Sequence, residues 1–433
     1  MLGGKSPHEV LFGVEIRYTK PTISGCTSNL NPPLMNISAL IRKFSLVWRA
    51  EKVWQKPKKA KTLIYDRCGS EALLKYIKME DVEILDVRGE TINLYVLLHC
   101  ILYAGISGGS YANKYISIVS PLIIITFIDN NPRFYELKRA HPESVTVFLQ
   151  NGWRSDAGDV FETLKTNTKN NNYQVDYMLT FGAAIGAKYL EYINGQIIPI
   201  GSIKANQCKI EKITNVKSLV FISQFSTPKG NPEQSYMMKV DTRLITWDDF
   251  FSAERKTIKF LADYCKKNNL NLQICGRNPD LFDAEYAFFM ELIGDNDWEF
   301  IPREGHLGNY ETIDQAEFVI GIDSTLVYES LARGNKTGVL SVRSDLLNDL
   351  ITDPPENFGF QFGWPEKLPN NGPFWTNWAD ENEFKRVLDY LTSVSNIDWE
   401  RDCQQFIKSL MEYDPGNTRF IALLKELDVQ LND

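Results

Sequence analysis

The sequence predicts an α/β protein built from two doubly wound parallel sheets, and three observations support this prediction. Short runs rich in Ile and Val alternate with helical runs between Lys61 and Ile200, and the alternation restarts at Ser218. The apolar residues of the strand runs occupy both faces of the pleat, which is typical of parallel strands covered by helices on both sides. The polar stretch from Gly201 to Val216, rich in Lys and Asn, predicts a domain boundary near residue 205.

The order of the elements divides the chain of 433 residues into three parts. Residues 1–205 hold an irregular N-terminal segment and the first sheet, residues 206–380 hold the second sheet, and residues 381–433 are amphipathic helices expected to pack back across the domains. The predicted strands are 61–65, 82–87, 121–128, 145–150, 177–181 and 197–200, then 218–224, 270–275, 317–322 and 337–342. The predicted helices between them are 70–78, 94–103 and 132–139, then 249–267, 284–292 and 324–333. Residues 105–110 are expected to be a flexible connector.

Composition excludes several classes of protein. The charge sum of 47 basic and 55 acidic residues is −8, which disfavours a nucleic-acid binder. Seven cysteines without a CxxC pair argue against a disulfide framework and a zinc site. No apolar run reaches the roughly 20 residues that span a bilayer. We therefore expect a cytoplasmic protein without a bound metal.

The stretch from Phe318 to Val342 carries the clearest chemical signal. A buried strand ends at Ile322, and a helix begins after the turn that contains Ser324 and Thr325. Hydroxyls and unpaired backbone N–H groups at this edge of an α/β sheet favour phosphate binding. The alternative, given equal weight, is that these hydroxyls only cap their own helix. Glu329 would contact a ribose if it faces a cleft, and it would otherwise be a solvated helical side chain.

The run Asp323 to Thr337 resembles the donor-nucleotide half of GT-B glycosyltransferases, in which a Ser/Thr turn binds phosphate and a Glu binds ribose. The paired-glutamate spacing of retaining members is missing, because position 321 is Gly. Further motifs extend the resemblance to a group of bacterial surface-carbohydrate biosynthesis proteins, and more distantly to retaining β-Kdo transferases and CDP-glycerol glycerophosphotransferases. These motifs are IYDRCGSE (64–71), ILDVRGE (84–90), ITFIDNN (125–131), FLQNGWR (148–154) and FISQF (221–225).

The resemblance implies a GT-B-like fold, with two Rossmann-like domains facing a central cleft. It places a nucleotide-sugar donor in the C-terminal half and an acceptor in the N-terminal half. The donor is a substrate, so no cofactor is expected, and the related enzymes suggest a CMP-linked sugar. His306 falls near the position where related CMP-sugar enzymes carry a nucleotide-contacting His.

Polar side chains that follow strands of the first sheet are expected to line the acceptor side of the cleft. They are Asn130, Gln150, Asn151, Arg154 and Arg88. The arginines, together with Arg277 after a strand of the second sheet, suit phosphate or a sugar carboxylate, with ordinary ion pairs as the alternative. A transferase also needs a carboxylate as general base or nucleophile, and the candidates are Asp156, Asp129 and Glu90. Turn or cap chemistry is the alternative for each of them.

The resulting hypothesis is a glycosyltransferase that acts on a surface-polysaccharide or glycolipid acceptor. The alternatives are a polyol-phosphate transferase, a nucleotide-sugar 2-epimerase and a non-catalytic nucleotide-sugar-binding protein.

The helical, basic segment 37–61 contains Trp48 and Trp54 and has a local charge excess. It suggests peripheral contact with anionic lipid on the inner membrane face, and the alternative is an ordinary solvated surface.

Overall fold

The computed structural model of the chain describes residues 48–103, 107–156, 159–167, 172–210, 217–240, 243–294, 296–305, 307–348 and 361–432. Residues Lys52–Asp433 form one compact unit that contains two parallel β-sheets. This confirms the predicted α/β class with two Rossmann-like parallel sheets. His306 and residues 37–47 of the predicted basic helix lie outside the described residues. No helix in the described ranges has both the length and the apolar character needed to cross a membrane.

The first sheet has six parallel strands in the described residues, in the order β3-β2-β5-β6-β7-β8. The strands of this half are β1 (Glu51–Val53), β2 (Thr62–Tyr65), β3 (Val82–Leu85), β4 (Thr91–Asn93), β5 (Ile123–Thr126), β6 (Val145–Leu149), β7 (Tyr173–Thr180) and β8 (Ile193–Pro199). The helices are α1 (Ser70–Leu74), α2 (Leu94–Tyr103), α3 (Gly108–Val119), α4 (Pro132–Tyr135), α5 (Leu137–Ala140), α6 (Val160–Asn167), α7 (Ala183–Leu190) and α8 (Ile203–Gln207).

The second sheet has seven strands in the described residues, in the order β13-β12-β9-β14-β15-β17-β16. Its strands are parallel except for the edge strand β16. The strands of this half are β9 (Ser218–Ile222), β10 (Tyr236–Val240), β11 (Arg243–Thr246), β12 (Asn271–Cys275), β13 (Trp298–Ile301), β14 (Phe318–Gly321), β15 (Thr337–Leu340), β16 (Asn371–Gly372) and β17 (Trp375–Thr376). The helices are α9 (Trp247–Phe250), α10 (Ser252–Asn268), α11 (Phe282–Ile293), α12 (Gly308–Gln315), α13 (Thr325–Ala332) and α14 (Arg343–Asn348).

The C-terminal helices pack against both sheets. They are α15 (Glu381–Ser393), α16 (Asn396–Ile407) and α17 (Thr418–Glu426). Val387 and Leu391 of α15 pack near Gly338 of β15, whereas Phe420 of α17 belongs to the apolar core on one face of the first sheet. The chain therefore returns to the first sheet after completing the second. The domain limits 1–205, 206–380 and 381–433 stay a prediction.

Residues 409–413, the crossing segment, run over the carboxyl end of β7. The N–H of Glu412 donates to the carbonyl of Phe181 at 2.8 Å, and the N–H of Ala184 donates to the carbonyl of Ser409 at 2.9 Å. Gly201 has a φ of +71°, and a Cβ there would lie 2.0 Å from the carbonyl oxygen of Glu412. The close approach of the crossing segment therefore requires glycine at position 201.

The expectation of a flexible connector at residues 105–110 was wrong for its last residues, because α3 begins at Gly108. Ser107 caps this helix by accepting a hydrogen bond from the N–H of Ser110 at 3.0 Å. Tyr115, Ile116 and Val119 are buried on the inner face of α3. An N-cap serine and an apolar face outweigh the two glycines in the first turn.

Candidate functional site

The predicted phosphate turn lies at the carboxyl end of β14. Ser324 has extended backbone angles and is the N-cap of α13, where its hydroxyl oxygen accepts a hydrogen bond from the N–H of Leu326 at 3.3 Å. The capping alternative is therefore observed. It does not exclude phosphate binding, because the serine hydroxyl hydrogen can still be donated to a ligand. The positive end of the α13 dipole also lies at this turn, and it favours an anion.

A buried arginine that the sequence analysis missed holds this turn. The side chain of Arg343 has no solvent exposure, and its guanidinium lies between Asp323 and Glu254, with Nε to Oδ2 at 2.8 Å and Nη2 to Oε1 at 2.8 Å. It also donates to the carbonyl of Phe250 and packs over the ring of that residue. Arg343 is the first residue of α14, three residues after the end of β15, so the strand-end argument applied to Arg277 would have found it.

Gln224 connects this turn to Arg277. The N–H of Asp323 donates to Gln224 Oε1 at 3.4 Å, and Arg277 Nη1 donates to the carbonyl oxygens of Gln224 at 2.7 Å and Phe225 at 3.2 Å. Burial lowers the pKa of Arg277, and nearby carboxylates including Glu285 act in the opposite direction. The structure therefore brings Arg277 close to the turn at one edge of the second sheet.

Glu329 is buried, with 7% of its surface exposed, so the solvated alternative is wrong. Its carboxyl group accepts hydrogen bonds from Ser202 and Tyr310, and burial raises its pKa. Ser202 is the N-cap of α8, so Glu329 faces the end of the first half of the chain.

Asp129 forms a closed cluster in the core of the first half. Its carboxylate accepts hydrogen bonds from the Arg154 guanidinium, from the Tyr189 hydroxyl at 2.6 Å and from the N–H of Asn151 at 3.1 Å. The residue has no solvent exposure. Burial alone would lower the pKa of Arg154, but the charges of Asp129 and Asp159 raise it. Because no acceptor hydroxyl can reach this carboxylate, its geometry indicates a structural ion pair instead of a general base.

Two of the other polar residues predicted for the acceptor side also have structural partners. Gln150 is buried and bridges two chain segments, because its side chain accepts from the N–H of Phe181 and donates to the carbonyl of Gly152. Arg88 pairs with Asp66 at 2.8 Å, at the ends of β3 and β2. Asn130 is partly buried and Glu90 is exposed.

Asp156 is the best placed of the three candidate carboxylates. Trp364 Nε1 donates to its Oδ2 at 3.1 Å, and Lys188 Nζ lies 4.0 Å from its Oδ1. The side chain is 39% exposed, so its carboxylate is accessible to a substrate. The Trp364 hydrogen bond and the nearby Lys188 ammonium orient this carboxylate.

Trp153 brings the donor-side and acceptor-side residues together. Its backbone N–H donates to Thr325 Oγ1 at 2.9 Å, and its indole stacks on the Tyr328 ring with centroids 3.6 Å apart and planes 9° apart. The loop that carries Asn151, Arg154 and Asp156 therefore touches the first turns of α13. The sequence analysis did not single out this tryptophan.

The described residues contain no group of three or more His, Cys, Asp or Glu side chains that could hold a metal ion. The expectations of no metal and no cofactor stay predictions. His306 cannot be placed relative to the turn, since it lies outside the described residues.

Comparison with protein families gives one match. The model of a family described as "putative O-antigen biosynthesis protein" matches residues 147–428, about two thirds of the chain. Among curated proteins, no sequence is significantly similar.

Several solved structures show a distant similarity. The UDP-GlcNAc 2-epimerase of Neisseria meningitidis, bound to UDP-GlcNAc, has 10% sequence identity and a TM-score of 0.44, covering 86% of this chain and 100% of that one. The wall teichoic acid polymerase TagF has 9% identity and a TM-score of 0.45, covering 86% and 90%. A glycosyltransferase from Rickettsia africae has 10% identity and a TM-score of 0.45, covering 85% and 98%.

Proposed function

Because this chain belongs to the family described as "putative O-antigen biosynthesis protein", we propose that it transfers a sugar from a nucleotide-activated donor to a surface-polysaccharide or glycolipid acceptor. The observation that carries this proposal is the turn Asp323–Thr325, which opens α13 and contacts the loop after β6 through Trp153. A phosphate site on one sheet beside a carboxylate loop on the other is what a two-substrate transferase requires.

The donor phosphates would lie at the N-terminus of α13. The hydroxyls of Ser324 and Thr325 would each donate a hydrogen bond to a phosphate oxygen. Both hydroxyl oxygens already accept a backbone N–H, from Leu326 and Trp153 respectively, and their hydrogens are left for the ligand. Arg277 would supply positive charge from the neighbouring strand end. Glu329 would bind the ribose after releasing the hydrogen bond from Ser202 or Tyr310. His306 stays a proposed nucleotide contact.

Asp156 is the proposed catalytic carboxylate. It would remove the proton from the acceptor hydroxyl as that oxygen attacks the anomeric carbon and the nucleotide leaves with the bridging oxygen. Alternatively, it would itself displace the nucleotide to form a glycosyl-enzyme, which the acceptor hydroxyl then attacks. Its partners Lys188 and Trp364 fix the position of the carboxylate. Glu90, exposed on the loop before β4, is the second candidate.

Calorimetric titration with UDP, CMP, CDP and GDP tests the donor site. The double change Ser324→Ala, Thr325→Ala should weaken binding by about 1 to 3 kcal/mol, the cost of losing hydrogen bonds to a charged group. Ser395→Ala is a matched control, because Ser395 caps α16 and its loss removes a helix cap without touching the turn. Unchanged nucleotide affinity in the double variant would contradict the assignment.

Product analysis separates the possible reactions. A glycosyltransferase forms a glycosidic bond and releases nucleotide only with acceptor present. A polyol-phosphate transferase, which the similarity to CDP-glycerol enzymes suggests, attaches a phosphodiester instead. An epimerase converts the donor without an acceptor, and a binding protein converts nothing. The similarity to β-Kdo transferases favours CMP as the nucleotide.

We also propose peripheral contact with anionic lipid on the inner membrane face, through the basic segment 37–61. In its described part Trp54 is 73% exposed, and Lys56 and Lys59 are exposed beside it. The adjoining α2 presents Leu98, Ile101 and Leu102, which are 51%, 53% and 62% exposed. Apolar side chains next to lysines suit an anionic bilayer surface, which attracts each Lys by about 1 kcal/mol.

Vesicle co-sedimentation tests this contact. Binding should rise with the fraction of anionic lipid, fall with salt and be lost in the variant Trp54→Ser, Lys59→Glu. Lys61 is unsuitable for the test because it forms an ion pair with Asp428. Equal binding to neutral vesicles, or no binding at low salt, would contradict the contact.

A further inference from the structure

A cavity of about 350 Å³ lies at the edge of the first sheet, apart from the turn before α13. All of its lining residues fall between Val53 and Tyr115, so the second sheet contributes none. One wall is the segment 53–58, the opposite wall is the edge strand β3, and α3 contributes Tyr111 and Tyr115. A cavity of this size accommodates a sugar unit.

The two carboxylates in this cavity already have partners. Asp86 accepts hydrogen bonds from the backbone N–H groups of Arg88 at 2.9 Å, Gly89 at 3.2 Å and Thr91 at 2.7 Å. Glu83 accepts a hydrogen bond from the Tyr115 hydroxyl at 2.6 Å. The backbone therefore satisfies both oxygens of Asp86, whereas the Tyr115 hydroxyl occupies one oxygen of Glu83.

The cationic side chains of the cavity, in contrast, have hydrogen-bond donors that no described protein group uses. The side chains of Lys56 and Arg67 form no ion pair or hydrogen bond with any residue in the described part of the chain. Lys58 donates to the carbonyl oxygens of Met79 and Glu80, both at 3.2 Å, and an ammonium group has a third donor. Three cations with donors left for a ligand therefore line a cavity that holds two carboxylates, and this excess of cations favours an anionic ligand.

Tyr111 adds a neutral donor. Its hydroxyl oxygen accepts a hydrogen bond from the N–H of Asn93 at 2.8 Å, which leaves the phenolic hydrogen for another acceptor. Burial raises the pKa of Tyr111 to about 12, so the phenol keeps this hydrogen at neutral pH. The side chains of Pro57 and Met79 supply apolar surface for a sugar ring.

We propose that this cavity binds an anionic sugar, whose phosphate or carboxylate meets Lys56 and Arg67 and whose ring lies against the tyrosines of α3. The guanidinium of Arg67 suits a bidentate contact with either anion. The sugar would be a unit of the acceptor glycan, and this role rests on the proposed transferase function, whereas the binding itself does not.

Calorimetric titration of the full chain with glucose 6-phosphate and with glucuronate, without nucleotide, tests the proposal. Saturable binding of either probe is expected, and it should weaken with salt. The variant Lys56→Gln, Arg67→Gln should lose affinity by tenfold or more. Lys59→Gln is the matched control, because Lys59 lies on the same segment but does not line the cavity.

Four results would overturn the proposal. They are no saturable binding of either probe, equally tight binding of inorganic phosphate, equally tight binding of glucose, and an equal loss of affinity in the Lys59 variant. The double change Ser324→Ala, Thr325→Ala distinguishes this site from the donor site, since it should leave sugar binding intact. If nucleotides fail to bind but the anionic sugar binds, the donor assignment fails and this inference stands.

Discussion

Replacing Arg343 by Met tests how the turn before α13 is held. Methionine keeps much of the volume but removes the cation between Asp323 and Glu254. The side-chain exposures of these three residues are 0%, 10% and 1%, so solvent screens their charges little. Removing one partner of a buried ion pair costs about 3 to 5 kcal/mol because the remaining charge stays buried. We expect a loss of this size in the free energy of unfolding.

The loss should depend on pH because it leaves a buried acid. Burial raises the pKa of Glu254 above its ordinary value of 4.5, and the charge of Arg343 opposes this rise. Without Arg343 the pKa in the folded state rises further, so between the two pKa values the folded protein binds more protons than the unfolded chain. Stability then falls as pH rises through this window. The Arg343→Met variant should therefore lose less stability near pH 5 than near pH 8.

Urea unfolding of both proteins at the two pH values measures these effects. Adding Glu254→Gln to the variant should restore part of the stability at pH 8, since it removes one unpaired charge. Lys385→Met is the control, because the Lys385–Asp389 pair is 63% and 50% exposed and is expected to contribute less than about 1 kcal/mol. A loss below about 1 kcal/mol for Arg343→Met, or a loss equal at both pH values, would refute the reasoning.

The remaining predictions concern two carboxylates and a glycine. Asp129→Asn should lower stability by up to about 3 to 5 kcal/mol in thermal unfolding, because Arg154 stays buried with only the more distant Asp159, at 3.9 Å, to balance its charge; a stable variant that loses only turnover would contradict this. Asp156→Asn should reduce turnover by about two orders of magnitude with donor affinity retained, and near-normal rates would move the catalytic role elsewhere. Gly201→Ala should destabilise more than Gly416→Ala in the same assay: both glycines have positive φ, but only Gly201 faces a backbone atom.

Strand positions could be predicted from the sequence because buried parallel strands are short continuous apolar runs, as at β2, β5 and β14. Several elements were missed, among them the helices α7 and α12, whose apolar patterns are weak, and the four-residue strand β13. In α7 the apolar residues are largely small, and in α12 polar residues predominate, so their packing partners, not their composition, fix these helices.

The candidate site was predicted in part for a similar reason. Ser324, Asp156 and Arg277 each follow a predicted parallel strand, and they lie at the carboxyl edges of the two sheets as this position predicts. The position of Asp129 after a strand did not predict that Arg154 and Tyr189 both donate to its carboxylate. Because of these contacts Asp129 belongs to a buried ion pair and does not line the cleft. Such convergence depends on contacts between distant parts of the chain, and a local pattern does not contain them.

The return of α17 to the first sheet has a consequence for how the protein is made. Phe420, Leu423 and Leu424 lie in the same apolar cluster as Ile64 and Leu179, although the whole second sheet is synthesised between them. During translation the first half therefore leaves the ribosome with part of one face of its core uncovered, and this part stays uncovered until α17 emerges. A nascent chain that stalls inside the second half would expose this apolar face, which makes chaperone binding and degradation its expected fate.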